Sequence, residues 1–208
     1  MNPSRAVLAG VLLACMGVAQ AQALPQPKEF YFDEDKAAAP IVVVEGSGES
    51  LAEQLMRERE RGRRKVEATA QLAHVAMASD RLQLGQSLYA QALNLSSGSS
   101  SLGRSVRWNY GWDLYRSGQV EAALAQWGGA VGFIGGQSWV PPTMALALWS
   151  LGRRTEAVQW YAAAVRTEPL GWGSPGDFAR MLPTWRQEDR DVLGQVHAAW
   201  QANPPRWP

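Results

Sequence analysis

Few side chains in this 208-residue sequence are suited to catalytic or metal chemistry, and they are widely separated. The two histidines, His74 and His197, each stand among apolar neighbours. The sequence contains no HExxH motif, no paired-cysteine zinc pattern and no GxSxG motif. The run GWGSPG, residues 171–176, has the spacing GxGxxG. It follows a predicted helix and contains a proline where backbone amides would face a phosphate, so we predict a loop there.

Carboxylates are the remaining candidates for acid and base catalysis. Glu168, Asp177 and Glu188 could supply such groups, but nothing in their spacing requires it. We therefore predict a protein that is not an enzyme and that has no catalytic residues, no metal and no cofactor. One alternative stays open: an enzyme or accessory subunit that acts on cell-wall or polysaccharide substrates, with tryptophan rings stacked on the sugars.

Aromatic side chains are abundant, with ten tryptophans in the chain. A Trp side chain either fills a core or anchors a bound partner. Trp108, Trp112 and Tyr115 recur at the i, i+4 and i+7 positions of a predicted helix, so they form one stripe. A second set falls at corresponding places in the next predicted helix pair. With two polar neighbours included, the candidate binding residues are Trp108, Asn109, Trp112, Tyr115, Arg116, Trp139, Thr143 and Trp149.

A repeat predicts the helices that carry this stripe. The segment YRSGQVEAALAQW, residues 115–127, is followed 34 residues later by WSLGRRTEAVQWY, residues 149–161. Each copy predicts a helix, a glycine turn and a second helix, with a small residue where the two helices cross and an aromatic residue filling the space beside it. The aligned pairs are Tyr115 and Trp149, Gly118 and Gly152, Ala123 and Ala157, Trp127 and Tyr161, and Ala130 and Ala164.

This pattern resembles the tetratricopeptide repeat family. The residues that carry the resemblance are Tyr110, Gly111, Leu114, Gly118, Ala123, Trp127 and Ala130 in one copy, and Met144, Ala145, Leu148, Gly152, Ala157, Tyr161, Ala164 and Pro169 in the next. A weaker copy upstream has Leu72, Ala73, Ala76, Asp80, Gly85, Tyr89 and Ala92, with Asp80 in place of the turn glycine. Three copies are about the minimum that buries a continuous core.

The resemblance implies an all-α fold, a short right-handed solenoid of about three helical hairpins with a C-terminal helical cap. It also implies that the stripe on the first helices lines a concave groove that binds a peptide, with Arg116 pairing a carboxylate of the bound segment. An alternative stays open, in which the aromatic side chains pack against one another or are covered by the terminal segments.

The predicted organisation has four parts. Residues 1–21 have the Arg, apolar run and A-x-A site of a signal peptide, which predicts export to the periplasm. The sequence around Cys15 also resembles a lipoprotein cleavage box, so a lipid anchor at Cys15 is the alternative. Residues 22–50 are predicted to be an extended or disordered lead-in, with Ile41 to Val44 able to pair as a strand. Repeats follow over 51–170, beginning at a capping box on Ser50, and capping helices over 171–208.

The charge balance gives no reason to expect a nucleic-acid partner. Twenty basic residues oppose 19 acidic ones, for a net charge of +1. No segment after the signal peptide is long and apolar enough to span a membrane. The sequence therefore predicts a non-catalytic protein–protein interaction adaptor or scaffold of the bacterial cell envelope. A lipid-anchored envelope assembly factor is a further alternative.

Overall fold

The computed structural model describes residues 26–97, 100–131 and 136–206. The predicted signal peptide and Cys15 lie outside these ranges. Within them the fold is all-α, as predicted, and the one β-type contact is an isolated bridge between Asp33 and Gln137. The helices are α1 Gly48–Arg61, α2 Lys65–Ala78, α3 Leu82–Leu95, α4 Ser101–Arg116, α5 Val120–Ala130, α6 Val140–Ser150, α7 Arg154–Thr167, α8 Pro169–Trp172, α9 Phe178–Met181 and α10 Gln187–Ala202.

The long helices pack as three consecutive hairpins, α2 with α3, α4 with α5, and α6 with α7. Each hairpin contacts the next, α1 covers α2, and α10 packs against both α6 and α7. At the same place in each second helix stands an aromatic residue that is completely buried: Tyr89, Trp127 and Tyr161. The three hairpins therefore share one packing scheme, in which the second helix of each pair buries one aromatic side chain in the core.

The turns of the three hairpins use one backbone conformation. Gly118 has φ +79° and Gly152 has φ +75°, the left-handed region that glycine enters without a steric penalty. The first hairpin places Asp80 there, at φ 57°. Aspartate tolerates this conformation better than most residues do. The sequence prediction of three equivalent turns is confirmed, including the one without glycine.

Close approach of the two helices in a pair depends on small residues, as predicted. A Cβ atom on Gly111 would lie 2.3 Å from Nε1 of Trp127 across the α4–α5 crossing. A Cβ atom on Gly85 would lie 2.2 Å from the Met77 side chain and 3.0 Å from the Ala73 carbonyl oxygen. Both sites therefore exclude larger side chains unless the helices separate.

Three boundaries differ from the prediction. Helix α1 begins at Gly48, after Ser47, so Ser50 lies inside the helix and does not cap it. Helix α10 begins at Gln187 and not at Pro183, because Asp189 accepts a hydrogen bond from the Arg186 backbone and fixes the first turn there. Residues Ile41 to Val44 form no strand. Residues 26–47, here called the strap, lie along the first helices of the hairpins.

None of the described helices has the length and apolar character needed to cross a membrane.

Candidate functional site

The predicted aromatic stripe on α4 lies beneath other parts of the chain. Trp108 and Trp112 are only 8% and 4% exposed. The Trp112 ring makes edge contacts with Trp127 at a centroid distance of 5.1 Å and with Trp185 at 4.9 Å. Trp185 belongs to the segment between α9 and α10. These indole rings therefore pack mostly against other side chains of the protein.

Helix α10 and the segment before it cover the C-terminal ends of α4 and α6. The Arg116 guanidinium lies 5.0 Å from the centroid of Trp112 and 3.8 Å from Oδ2 of Asp189. Burial raises the pKa of Asp189, and the charge of Arg116 opposes that rise. On α6, Nε1 of Trp149 donates a hydrogen bond of 3.0 Å to Oε1 of Gln195. Helix α10 therefore packs against helices of the second and third hairpins, and its role as a cap stays a prediction.

The strap is held by two side-chain amides on the first helices. The backbone N–H groups of Val43 and Val44 donate to Oε1 of Gln71 at 2.7 and 3.1 Å, and Nε2 of Gln71 donates to the Val44 carbonyl at 2.7 Å. Asn109 does the same one helix pair later. It accepts from the Ile41 N–H at 3.1 Å and donates to the Ala39 carbonyl at 2.9 Å. Both amides contact main-chain atoms and not side chains of the strap.

Gln71 and Asn109 occupy the same position of the repeat, each directly before the paired residues Leu72-Ala73 and Tyr110-Gly111. The next equivalent position is Thr143. Its side chain is buried, and its hydroxyl donates to the Trp139 carbonyl of its own helix. The Thr143 hydroxyl therefore bonds within its own helix and not to the strap main chain, and its place on the binding face stays a prediction.

The other end of the strap is attached to α4, α6 and α7. The Asp35 carboxylate accepts from Nη2 of Arg104 and from Nε1 of Trp139, both at 3.3 Å. Backbone hydrogen bonds join Asp33 to Gly136 and Ser138. Tyr31 is buried, and its backbone N–H donates to the Thr167 hydroxyl at 3.1 Å. The lead-in is therefore attached to the helices between Tyr31 and Val44.

A cavity of about 470 Å³ lies between the strap, α2 and α4. Strap residues between 40 and 47 and the start of α1 form one wall, and the opposite wall is made by the first helices of two hairpins. Its polar lining includes Gln71, His74, Asn109, Asp113 and Arg116, and its aromatic lining is Trp108 and Trp112.

His74 is paired across this cavity wall with a buried carboxylate. Its Nδ1 lies 2.8 Å from Oδ1 of Asp113, and the Tyr89 hydroxyl donates to Oδ2 of Asp113 at 2.6 Å. The hydrogen bond to Asp113 raises the pKa of His74, although partial burial opposes the rise. His197 also has a polar partner, since its Nε2 lies 3.1 Å from the Gly173 carbonyl oxygen.

The sequence prediction therefore identified Asn109 and the buried aromatics but missed Gln71, His74 and Asp113. The repeat register marks Gln71, because it is aligned with Asn109. The pairing of His74 with Asp113 has no such signal, since the two residues are 39 positions apart and occupy different repeat positions. Glu168 and Glu188 line two different cavities, and within the described residues no group of three or more His, Cys, Asp or Glu side chains is placed to hold a metal ion.

Comparison with known proteins identifies no relative. No family model matches the sequence, and neither curated proteins nor solved structures include a significant match. The resemblance to tetratricopeptide repeats accordingly stays a prediction based on the residues and register described above.

Proposed function

We propose that this protein is a non-catalytic protein–protein interaction adaptor whose first-helix face binds an extended segment of a partner protein. First-helix face here means the surface of α2, α4 and α6 that the strap covers. The observation that carries the proposal is the pairing of Gln71 and Asn109 with the main chain of residues 39–44. An amide that both donates to and accepts from a main chain recognises extended backbone without regard to side chains.

The strap is the resident occupant of this face, and a partner segment would take its place. Two features favour exchange. Over residues 39–44, Ile41, Val43 and Val44 are only partly buried and Val42 is exposed, so little buried apolar area is lost when this part of the strap leaves while Tyr31 and Ala37 stay in the core. The strap also joins α1 at Gly46 and Gly48, which have φ values of +135° and +67°. No neighbouring atom would lie within 4 Å of a Cβ atom added to either glycine. Such a junction can reorient without disturbing the helices.

We also propose that the adaptor works in the periplasm, on the basis of the signal-peptide pattern over residues 1–21. A lipid-anchored form is the alternative, since Cys15 follows a small residue in that pattern. Partition of the mature protein into membranes, compared with that of a Cys15→Ala variant, distinguishes the two. Loss of membrane association in the variant would support the lipid anchor.

Site-specific photo-crosslinking in cells that produce the protein tests the adaptor role. A photoreactive residue at Ser105, one turn before Asn109 on α4, is expected to give discrete adducts with another protein. The adducts should be lost when Gln71 and Asn109 are both replaced by Ala. The matched control is a photoreactive residue at Leu84, which is 47% exposed on α3. Identical adducts at Ser105 and Leu84, or adducts that survive the double replacement, would contradict the proposal.

A further inference from the structure

A second cavity, of about 240 Å³, lies among the strap, α4, α6 and the segment that links α7 to α10. Five aromatic residues line it: Tyr31, Trp108, Trp139, Trp172 and Trp185. Four of them are buried and Trp139 is partly buried, so packing holds them in place. Proline, methionine, leucine and alanine residues make up most of the remaining wall. A ligand that fits this cavity is therefore small and presents an apolar surface to aromatic side chains.

Among the described residues that line this cavity, Glu168 is the one charged side chain. A Cβ atom added to Gly171 would lie 3.0 Å from Oε1 of Glu168 and 2.7 Å from Cε of Met181, another lining residue, so the carboxylate and the thioether approach the same glycine. Helix α7 ends one residue before Glu168, at Thr167, and its last carbonyl groups add partial negative charge there. The charged edge of the cavity is therefore negative.

The described lining offers little that would hold an anion. It contains no Lys, Arg or His side chain. Helix α6 begins at this cavity, but Pro141 and Pro142 have no N–H group, and the N–H groups of Val140 and Thr143 already donate to carbonyl oxygens. The start of α6 therefore lacks the free N–H groups with which other helices bind anions.

Three guanidinium groups lie close to the cavity but outside its lining. Arg104 pairs with the Asp35 carboxylate at 3.3 Å. Arg190 donates to two main-chain carbonyl oxygens of the segment before α10. Arg166 has an interaction of its own within the chain. Each guanidinium therefore has a partner elsewhere, and none of them is placed to contact a ligand in the cavity.

We infer that this cavity binds a small quaternary ammonium compound, whose methyl groups contact the aromatic side chains while the Glu168 carboxylate balances its charge. Aromatic rings attract cations, and a quaternary ammonium group has no N–H that would need an acceptor in an apolar cavity. The strap residues in the wall, Tyr31 and Ala38, precede residues 39–44, which a partner segment would replace. The inference therefore goes beyond the proposed adaptor function and does not depend on strap exchange.

Two-dimensional nuclear magnetic resonance of the ¹⁵N-labelled protein provides the test, because each tryptophan gives its own indole N–H signal. The Trp139 and Trp172 signals are assigned with Trp139→Phe and Trp172→Phe. Choline is the first probe, and dimethylbutanol, in which carbon replaces the nitrogen, is its uncharged counterpart. We expect choline to shift both indole signals saturably. Dimethylbutanol should bind at least about tenfold more weakly, because it has no charge for the rings or the carboxylate to attract.

Two pairs of variants separate the charge from the aromatic wall. Glu168→Gln should weaken choline binding about threefold to fivefold, and Glu188→Gln should leave it unchanged, because Glu188 lines a different cavity. Trp139→Leu should weaken choline binding about tenfold or more, and Trp149→Leu, near the other end of α6 and outside the lining, should leave it unchanged. Trp139→Phe, which retains a smaller ring, should give an intermediate affinity and covers the case in which Trp139→Leu does not fold.

Three outcomes would overturn the inference. The first is the absence of a saturable shift of the two indole signals with both choline and tetramethylammonium. The second is equal binding of choline and dimethylbutanol, which would make the cavity a site for uncharged apolar molecules. The third is choline binding that Trp139→Leu and Trp149→Leu weaken equally, since binding would then lie outside this cavity. None of these outcomes would affect the adaptor proposal, which depends on Gln71 and Asn109.

Discussion

The backbone nitrogen of Val43 lies 2.7 Å from Oε1 of Gln71, a residue 28 positions later on α2. The same side chain returns a hydrogen bond of 2.7 Å to the carbonyl of Val44. An amide side chain on a helix thus pairs with an extended chain in the way that a neighbouring β-strand would. Asn109 repeats the arrangement at the equivalent position of the next hairpin. The strap main chain is therefore hydrogen-bonded by a side-chain amide at two places.

Replacing Gln71 by Ala should release the strap locally. The N–H groups of Val43 and Val44 would lose their acceptor, and each such hydrogen bond is worth about 1 kcal/mol. Amide hydrogen exchange at these two residues is therefore expected to accelerate by about tenfold, while exchange in α5 stays unchanged. Gln86→Ala is the control, since the Gln86 side chain donates to Gln119 and lies on α3, away from the strap amides. Unchanged protection in Gln71→Ala would show that other contacts hold the strap.

Removing a glycine from a hairpin turn and introducing one should change stability in opposite directions. Gly118→Ala and Gly152→Ala force a side chain into the left-handed region, with no nearby atom to clash, and are each expected to lower the free energy of unfolding by about 1 kcal/mol. Asp80→Gly relieves the same strain and should raise it by up to about 1 kcal/mol. Urea denaturation measures all three. Destabilisation by Asp80→Gly would mean that its side chain has a role beyond the turn.

The α4–α5 crossing offers a second matched pair of glycines. Gly111→Ala would place a methyl group 2.3 Å from Nε1 of Trp127 and should cost about 1 to 3 kcal/mol of stability. Gly128 is in α5 with no atom within 4 Å of the added group, so Gly128→Ala should stabilise the helix by about 0.5 to 1 kcal/mol. Thermal unfolding of both variants checks the pair. Equal effects would mean that the crossing is looser than described.

Much of the fold follows from local sequence features. Gly118, Gly152 and the small residues at the crossings mark where helices must turn or approach, and short-range sterics decide those positions. The end of α4 at Arg116 and the start of α5 at Val120 are predicted correctly for this reason. The start of α10 is not, because the competing signal, Pro183, lies four residues before the turn that Asp189 caps.

The terminal segments could not be placed from sequence. The run from Ile41 to Val44 has the composition of a strand, but its main-chain partners are the side chains of Gln71 and Asn109, which no β-propensity describes. Likewise, Trp185 covers Trp112 over a distance of 73 positions in sequence, and no periodicity reports that contact. Whether a stripe of aromatics is exposed therefore depends on long-range packing that the stripe itself does not encode.

The pair of His74 and Asp113 predicts a specific pH dependence of stability. The pKa of His74 in the folded protein is raised above its ordinary value of 6.5, chiefly by the hydrogen bond to Asp113, with Arg116 and Arg186 opposing the rise. Its contribution to stability is therefore fully present below about pH 6.5 and is lost as the pH rises through the folded value. The difference in the free energy of unfolding between the unmodified chain and His74→Gln should therefore shrink as the pH rises from about 6.5 through the folded pKa of His74.

Asp113→Asn is the control for this titration. With the carboxylate removed, the effect of His74→Gln should no longer depend on pH between pH 5 and pH 8. Tyr89 retains an acceptor in Asp113→Asn, so the buried hydroxyl is not orphaned. A stability difference that grows as the pH rises would show that His74 is held in its neutral form.

The most direct measurement of the central claim is competitive displacement of the strap by peptides. A protease site introduced at the exposed Ser47 allows the strap to be cut from the folded chain, and the release of the cut strap is followed by fluorescence anisotropy of a label on it. A peptide of residues 35–46 should displace it, and changing Val42 or Val43 to Thr in that peptide should alter its affinity less than about threefold. Methylation of the Val43 backbone nitrogen, which removes the donor to Gln71, should weaken displacement about tenfold or more. Equal displacement by the methylated and unmethylated peptides, with large losses from the side-chain changes, would contradict main-chain recognition and the adaptor function built on it.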